Sequence, residues 1–308
     1  MIADKLQLGD TIGIVAPASG ERKEVIDNGI AYLKKLGFHT KIGAHLYDKY
    51  GFLAGNDKSR AADFMEMFLD PNVKMVMCMR GGYGSMRIID YIDMEIIKNN
   101  PKIFTGFSDI TILLNYINKL TGLITFHGPM INSNINDEYT LKSFLSTLTE
   151  ARTTYLLENP DYLALECSVN GVVEGEIVGG NLAMICSSLG TPYEIETTDK
   201  ILFIEEIGEA PYRIDRMFTQ LIHSGKLNKC KGFILGQFKD CGLSNYDRSF
   251  TLPQVIEDRI FSLNKPTISH FMSGHGNPKI TIPIGAKVQL NCNTSEIRVL
   301  EPVVKLSS

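Results

Sequence analysis

A serine at the turn between an apolar strand and a helix is placed to act as a nucleophile, and Ser108 has that setting. Thr105-Gly106-Phe107-Ser108-Asp109 leaves an apolar segment at 103–107 and runs at once into a helical one from Ile110 to Leu120. Such a turn pushes the hydroxyl out of the sheet, as the nucleophile elbow of hydrolases does. The helix start behind it offers unpaired backbone N–H groups and a positive dipole end, which suit an oxyanion. The competing reading is an ordinary N-cap, because serine before a helix is common. The usual Gly-x-Ser-x-Gly pattern is not met, since residue 110 is Ile.

Three further segments could supply the rest of an acyl-transfer site. Arg80-Gly81-Gly82-Tyr83-Gly84 follows a buried strand, and its glycines let backbone approach a ligand closely. It could give an oxyanion donor, a phosphate cradle or no more than a tight turn; it fits neither nucleotide-binding glycine pattern. Leu202-Phe203-Ile204-Glu205-Glu206 puts two carboxylates at an apolar strand end. Strand alternation sends them to opposite faces, so at most one can orient a histidine, and solvent-facing ion pairs are the alternative. Ser273-Gly274-His275-Gly276 exposes an imidazole between glycines, a setting for proton transfer rather than packing. Among the other histidines only His127, after the strand at 124–126, has a comparable position. A metal hydrolase would need clustered His, Asp and Glu ligands, and no such spacing is present; no metal or cofactor is expected. No cysteine occupies a comparable turn, and the six, at 78, 167, 186, 230, 241 and 292, include no Cys-x-x-Cys pair, so they read as reduced buried thiols.

The elements that must position these groups alternate along the first half. Short apolar strands at 11–16, 38–42, 73–79, 103–107 and 124–126 are separated by helical spacing at 21–36, 58–69 and 110–120, with Asp57 expected to cap the second helix. This rhythm predicts an α/β fold, a doubly wound parallel sheet with helices on both faces. Ligands bind such sheets beyond the carboxyl ends of the strands, where the glycine loop and Ser108 fall. The polar stretch around Asn159-Pro160 breaks the rhythm. The expected organisation is therefore an N-terminal domain at 1–150, a linker at 151–170 and a C-terminal β-rich α/β domain at 171–308, with strands at 172–178, 201–205, 232–235, 288–291 and 297–300 and helices at 182–189 and 213–224.

Composition limits the partners. The chain has 308 residues, 44% of them hydrophobic and 21% charged, with a formal net charge of −4, so it can bury a large core but carries no basic excess for nucleic acid. Lys and Arg are scattered rather than gathered into a membrane-binding stripe, and no window approaches the roughly 18 apolar residues of a membrane span. With no apolar leader after Met1, the expected location is the cytoplasm.

Taken together, the segments resemble the serine LD-carboxypeptidase family, which includes murein tetrapeptide carboxypeptidases and self-immunity peptidases against microcin C. The resemblance rests on Gly13-Ile-Val-Ala-Pro-Ala-Ser19, Phe52-Leu-Ala-Gly55, Arg80-Gly-Gly-Tyr-Gly84, Gly106-Phe-Ser-Asp109, Phe126-His-Gly-Pro-Met130, Gly179-Gly-Asn-Leu182, Phe203-Ile-Glu-Glu-Ile207, Pro211-Tyr-Arg-Ile-Asp215 and Gly274-His-Gly276, in that order. It implies Ser108 as nucleophile, His275 as base and Glu205 as orienting acid, with Glu206, where the family often carries Asp, as the alternate carboxylate. It implies a site at the interface of the two domains, with Asp109 and Gly81 or Gly82 supplying oxyanion donors. Arg80 and Arg213 are candidates for the substrate carboxylate. The expected substrate is a small muropeptide, the leaving group a terminal D-Ala, and the protein a homodimer without nucleic-acid or membrane partners. The alternative within the family is cleavage of a peptidyl or aminoacyl adenylate analogue.

Overall fold

The computed structural model describes residues 1–133 and 135–306. By contact the chain divides into two compact units, one of Met1–Arg152, Thr281–Gly285 and Pro302–Ser308, the other of Thr153–Ile280 and Ala286–Glu301. The expected domains 1–150 and 171–308 include residues 134, 307 and 308, which lie outside the described residues.

The first unit is built on a six-stranded sheet in the order Ile282–Ile284, Thr125–His127, Ile103–Gly106, Val73–Cys78, Thr11–Val15, His39–Ile42. All neighbours are parallel except Ile282–Ile284, which runs antiparallel to Thr125–His127. The central strands are buried on both faces, which explains their nearly unbroken apolar sequence. The strand at 11–15 lies between the strands at 39–42 and 73–78, so the order of travel reverses there. Residues 16–20 and 79–84 leave the sheet at this switch point, where doubly wound folds hold ligands.

The helix Asp57–Leu69 packs Phe64 and Phe68 against Phe104 of the sheet, with ring centroids 5.2 and 6.3 Å apart. Its cap is Asn56, whose side chain accepts from Ser59 N at 2.9 Å, not the expected Asp57. Asn56 has the extended backbone a cap requires, and Asp57, already helical, pairs instead with Arg60 and Arg87. The helix stops at Asp70, whose extended backbone is the conformation favoured before Pro71.

The second unit carries an eight-stranded mixed sheet: Tyr155–Leu156, Glu296–Val299, Lys287–Asn291, Val172–Asn181, Ile201–Ile207, Gly232–Lys239, Thr267–Ser269, Glu166–Val169. The strands at 172–181, 201–207, 232–239 and 267–269 are mutually parallel and the remainder antiparallel. Leu202, Ile204, Phe233 and Leu235 of the sheet share one core with Ile214, Phe218 and Leu221 of the helix Pro211–His223. The stretch 151–170 contributes two outer strands of this sheet, at 155–156 and 166–169, and its polar composition comes mainly from the exposed residues between and beside them, such as Thr153, Thr154, Glu158 and Asp161. Four helices were not expected from the sequence, Met94–Asn99, Glu138–Thr149, Lys226–Lys229 and Leu252–Arg259. Met94–Asn99 and Lys226–Lys229 are too short to show a period, whereas Glu138–Thr149 and Leu252–Arg259 carry one, at Leu141, Phe144, Leu145 and Leu148 and at Leu252, Val255 and Ile256, and were legible from spacing.

Candidate active site

The strand Ile103–Gly106 delivers Phe107 in extended conformation, and at Ser108 the backbone turns sharply to φ 62°. A side chain other than Asn or Asp in this left-handed region is uncommon and costs about 1–3 kcal/mol, strain that persists where surrounding packing enforces it. Here Gly106 allows the enforcement, since a Cβ there would stand 2.7 Å from Ile110 Cγ2. Residues Ser108–Ile110 form a 3-10 turn that continues into the helix Thr111–Thr121. Neither helical start has a side-chain cap bond, so the Ser108 hydroxyl does not serve as the N-cap its position allowed.

The glycine loop lies directly against this turn. A Cβ on Gly81 would sit 3.0 Å from Ser108 Cβ and 3.2 Å from both Ser108 Oγ and Asp109 N. Only a glycine brings backbone this close to the hydroxyl and the following N–H without displacing them. Asp109 ties the loop down from below. Its buried carboxylate accepts from Ser85 N at 2.8 Å, and its carbonyl accepts from Ser85 Oγ at 2.6 Å. Burial raises the Asp109 carboxyl above its ordinary range, against the pull of its donors. Ser19 steadies the loop's other side: its Oγ accepts from Tyr83 N at 3.1 Å and its N donates to Gly81 O at 3.3 Å.

The second unit brings Glu205 and His275 together. Both carboxylates at the end of the strand Ile201–Ile207 are buried, Glu205 at 0% exposure, and they face opposite ways. Glu205 Oε2 lies 2.7 Å from His275 Nδ1, and the imidazole stays 14% exposed. A buried carboxylate holding Nδ1–H leaves Nε2 as the basic nitrogen. Glu206 is engaged elsewhere, accepting from Asn181 Nδ2 at 2.9 Å, Ile207 N at 2.8 Å and Ala183 N at 2.8 Å. Burial raises its carboxyl above the usual range, partly offset by these donors.

The loop around His275 depends on its own glycines and on two residues, Gln237 and Lys279, that the sequence does not single out. Gly274 has φ 138°, and a Cβ there would stand 2.9 Å from Glu205 Oε2. The Lys279 ammonium, 3% exposed, donates to Gly274 O; burial lowers it to about 8 while the nearby Glu205 opposes the shift. Gln237 accepts from Gly276 N at 2.6 Å. Asn181 could have been suspected from its Gly-Gly-Asn segment; Gln237 and Lys279 have no local signal.

The remaining candidates have other engagements. His127 is fully buried with its ring 5.8 Å from that of Phe107. Arg80 reaches Glu21 Oε2 at 3.3 Å and Gly20 O at 3.4 Å, and Arg213 pairs with Glu209 at 3.4 Å. All six cysteines are free thiols, and burial pushes Cys186, Cys230 and Cys292 up to about 12, where the reactive thiolate is scarce. Among the described residues no group of three or more His, Cys, Asp or Glu is arranged to hold a metal ion.

A serine on a strained strand-to-helix turn, backbone N–H groups beside it and a carboxylate-held imidazole are the parts of a hydrolase that works by acyl transfer. Residues 12–128 match the LD-carboxypeptidase N-terminal domain and residues 174–290 the LD-carboxypeptidase C-terminal domain. A probable murein peptide carboxypeptidase of Bacillus subtilis (strain 168) is 44% identical over 93% of this chain and 90% of its own. The chain belongs to the LD-carboxypeptidase family and is a peptidase. The crystal structure of muramoyltetrapeptide carboxypeptidase from Oxalobacter formigenes is 30% identical with a TM-score of 0.84, covering 97% of this chain and 100% of that one. The microcin C7 self-immunity protein MccF of Escherichia coli is 29% identical over 98% of this chain and 96% of its own. Its wild-type apo structure superposes with a TM-score of 0.92 over 99% of this chain and 100% of that one, at 25% identity.

Proposed function

We propose that this protein is a serine-type LD-carboxypeptidase that removes the terminal D-Ala of muropeptide tetrapeptides in cell-wall recycling, with Ser108, His275 and Glu205 as its triad. The bond between His275 Nδ1 and the buried Glu205 carboxylate carries the reading, because it fixes the tautomer that a general base needs. Ser108 Oγ attacks the scissile carbonyl carbon and its proton passes to His275 Nε2. The carbonyl oxygen becomes an oxyanion, held by the N–H of Asp109 and one from Gly81 or Gly82. Glu205 stabilises the imidazolium. The C–N bond then breaks, with His275 returning the proton to the leaving amine of D-Ala. Water, deprotonated by His275, attacks the acyl carbon; the acyl–Oγ bond breaks and His275 returns the proton to Ser108 Oγ. The proposal divides the triad between an N-terminal domain that holds the nucleophile and a C-terminal domain that holds the Glu and His, and it includes a cytoplasmic site of action and a homodimer. Among the described residues no helix is long and apolar enough to cross a membrane.

The second reading, hydrolysis of a peptidyl or aminoacyl adenylate analogue, draws on the likeness to MccF, solved structures of which include complexes with adenosine monophosphate and aspartyl sulfamoyl adenosine. Phe52 and Tyr83 favour it: both rings are exposed, 5.5 Å apart and next to the glycine loop, where a purine could stack. Mass spectrometry of products from a D-Ala-terminated muropeptide tetrapeptide, with wild type and Ser108→Ala, tests the first reading. Release of D-Ala by wild type alone supports it. Release by neither directs the same assay to adenylate analogues, and equal release by both refutes Ser108 as nucleophile.

A further inference from the structure

The loop that carries His275 contains no helix or strand after Thr267–Ser269, yet its imidazole meets Glu205 at 2.7 Å. Lys279 holds Gly274 O and Asn159 holds His270 and Met272, but one side chain bonds the loop just after the histidine from the neighbouring strand, Gln237. Gln237 lies on the strand Gly232–Lys239, which pairs with the strand of Glu205, and the pairing slips at this level. Ile204 faces Leu235 but Glu206 faces Phe238, so two residues, Gly236 and Gln237, stand opposite Glu205 alone. This β-bulge re-aims the strand. Gly236 leaves room for the loop, since a Cβ there would stand 2.5 Å from Ser273 O.

Gln237 then grips the loop on both sides of the histidine. Its backbone N donates to Ser273 O at 3.0 Å. Its side-chain Oε1 accepts from Gly276 N at 2.6 Å, and Nε2 donates to Pro278 O at 3.3 Å. The loop glycines are packed onto it: a Cβ on Gly276 would lie 2.7 Å from Nε2, and one on Gly274 3.2 Å from Gln237 Cβ. A side-chain amide of this length can present an acceptor to the Gly276 N–H and a donor to the Pro278 C=O at once.

We propose that Gln237 is a positioning residue for His275, holding Ser273, Gly276 and Pro278 so that the imidazole stays aligned on Glu205. The inference rests on the reading of His275 as the catalytic base. It adds a demand that reading does not make, namely that the geometry of the base is set from the neighbouring strand.

The test uses Gln237→Met, which keeps chain length and volume but removes the side-chain bonds to Gly276, Pro278 and Met272, and Gln237→Glu, which keeps an acceptor for Gly276 N. The readouts are D-Ala release and the low-field proton resonance of His275 Nδ1–H, the latter recorded also in Ser108→Ala. Misplacing a reacting group by about 1 Å costs on the order of 10²-fold in rate. The expected result is a loss of about that size in kcat with KM little changed for Gln237→Met, loss of the low-field resonance, and partial recovery of both in Gln237→Glu. A Gln237→Met enzyme that folds, keeps the resonance and keeps wild-type kcat would overturn the proposal. Amide exchange of Gly276 in the unmodified protein checks the same bond without a variant: slow exchange is expected, and exchange as fast as in an open loop refutes the anchor. The resonance and the exchange need no turnover. Full activity in Ser108→Ala would thus remove the catalytic reading while these two still report whether Gln237 orders the loop.

Discussion

The proposed triad places its sharpest demand on Glu205, and Glu205→Gln isolates it. The substitution preserves size at a position with 0% exposure, so packing is retained. The change is at the atom 2.7 Å from His275 Nδ1, where an acceptor becomes an amide whose NH₂ can face the ring. The imidazole then has to accept at Nδ1, and its proton moves to Nε2, the nitrogen that must receive the serine proton. In a serine protease triad the same carboxylate-to-amide change costs about 10⁴ in kcat, which corresponds to about 5 kcal/mol of transition-state stabilisation. A loss of that order is expected here, measured as D-Ala release under saturating muropeptide. Glu206→Gln is the control. Its three donors at 2.8–2.9 Å would be left with one N–H facing an amide N–H. That costs about 1–3 kcal/mol of stability, or roughly 2–4 °C in Tm per kcal/mol, but touches nothing at His275. Glu206→Gln should melt several degrees lower and turn over normally. The reasoning is refuted if Glu205→Gln loses less than about tenfold, or if Glu206→Gln is the variant that loses turnover while keeping its Tm.

Three further outcomes follow from single contacts. Gly81→Ala would set a methyl 3.0 Å from Ser108 Cβ and 3.2 Å from Asp109 N, a clash small enough for the fold to absorb; kcat should fall about 10²–10³-fold, as when one oxyanion donor is lost, with circular dichroism unchanged. Gly274→Ala combines φ 138° with a Cβ 2.9 Å from Glu205 Oε2; it should lower Tm and abolish D-Ala release together, and a fully active variant would contradict the geometry. Bonds from Lys41 and Asn72 hold the Asp70 carboxyl down to about 2 from an ordinary value of 3.8. Its folded value lies below its unfolded one, so its contribution is full above about pH 4 and is lost as pH falls toward 2; Asp70→Asn should flatten that part of an acid-unfolding curve.

Much of the fold is legible in the chain because the parallel sheet is buried on both faces. Runs such as Val73–Cys78 and Ile201–Ile204 are nearly all apolar, and the helices between them show a period. Legibility fails where burial is one-sided or absent. The edge strands at 155–156 and 166–169 read as loop, and the helices Met94–Asn99 and Lys226–Lys229 are too short to show a stripe. The strand Ile282–Ile284 joins the sheet of the first unit although the chain around it belongs to the second, a return that no local pattern announces. Asp57 was the natural cap by composition, but the extended backbone needed for capping lies one residue earlier, at Asn56.

The chemistry-bearing residues stand out for a different reason. Ser108 and His275 are neighboured by glycines or a strand end, and those neighbours are what the geometry consumes: Gly81 and Gly106 beside the serine, Gly274 against the Glu205 carboxylate. Glycine is thus a local marker of close approach. The residues that make the buried pair tolerable have no such marker. A carboxylate at 0% exposure is costly unless opposed by charge and hydrogen bonds. Here the opposition comes from His275 and from Lys279, whose own burial lowers its pKa while Glu205 resists the shift. Lys279 reaches this place by bonding the carbonyl of Gly274, and Gln237 by a bulge in the adjoining strand. Both depend on how distant segments are paired, which composition and periodicity do not encode. A short glycine-rich sequence can therefore announce that a base is present, but only the paired strands show what keeps it aligned and what balances the charge behind it.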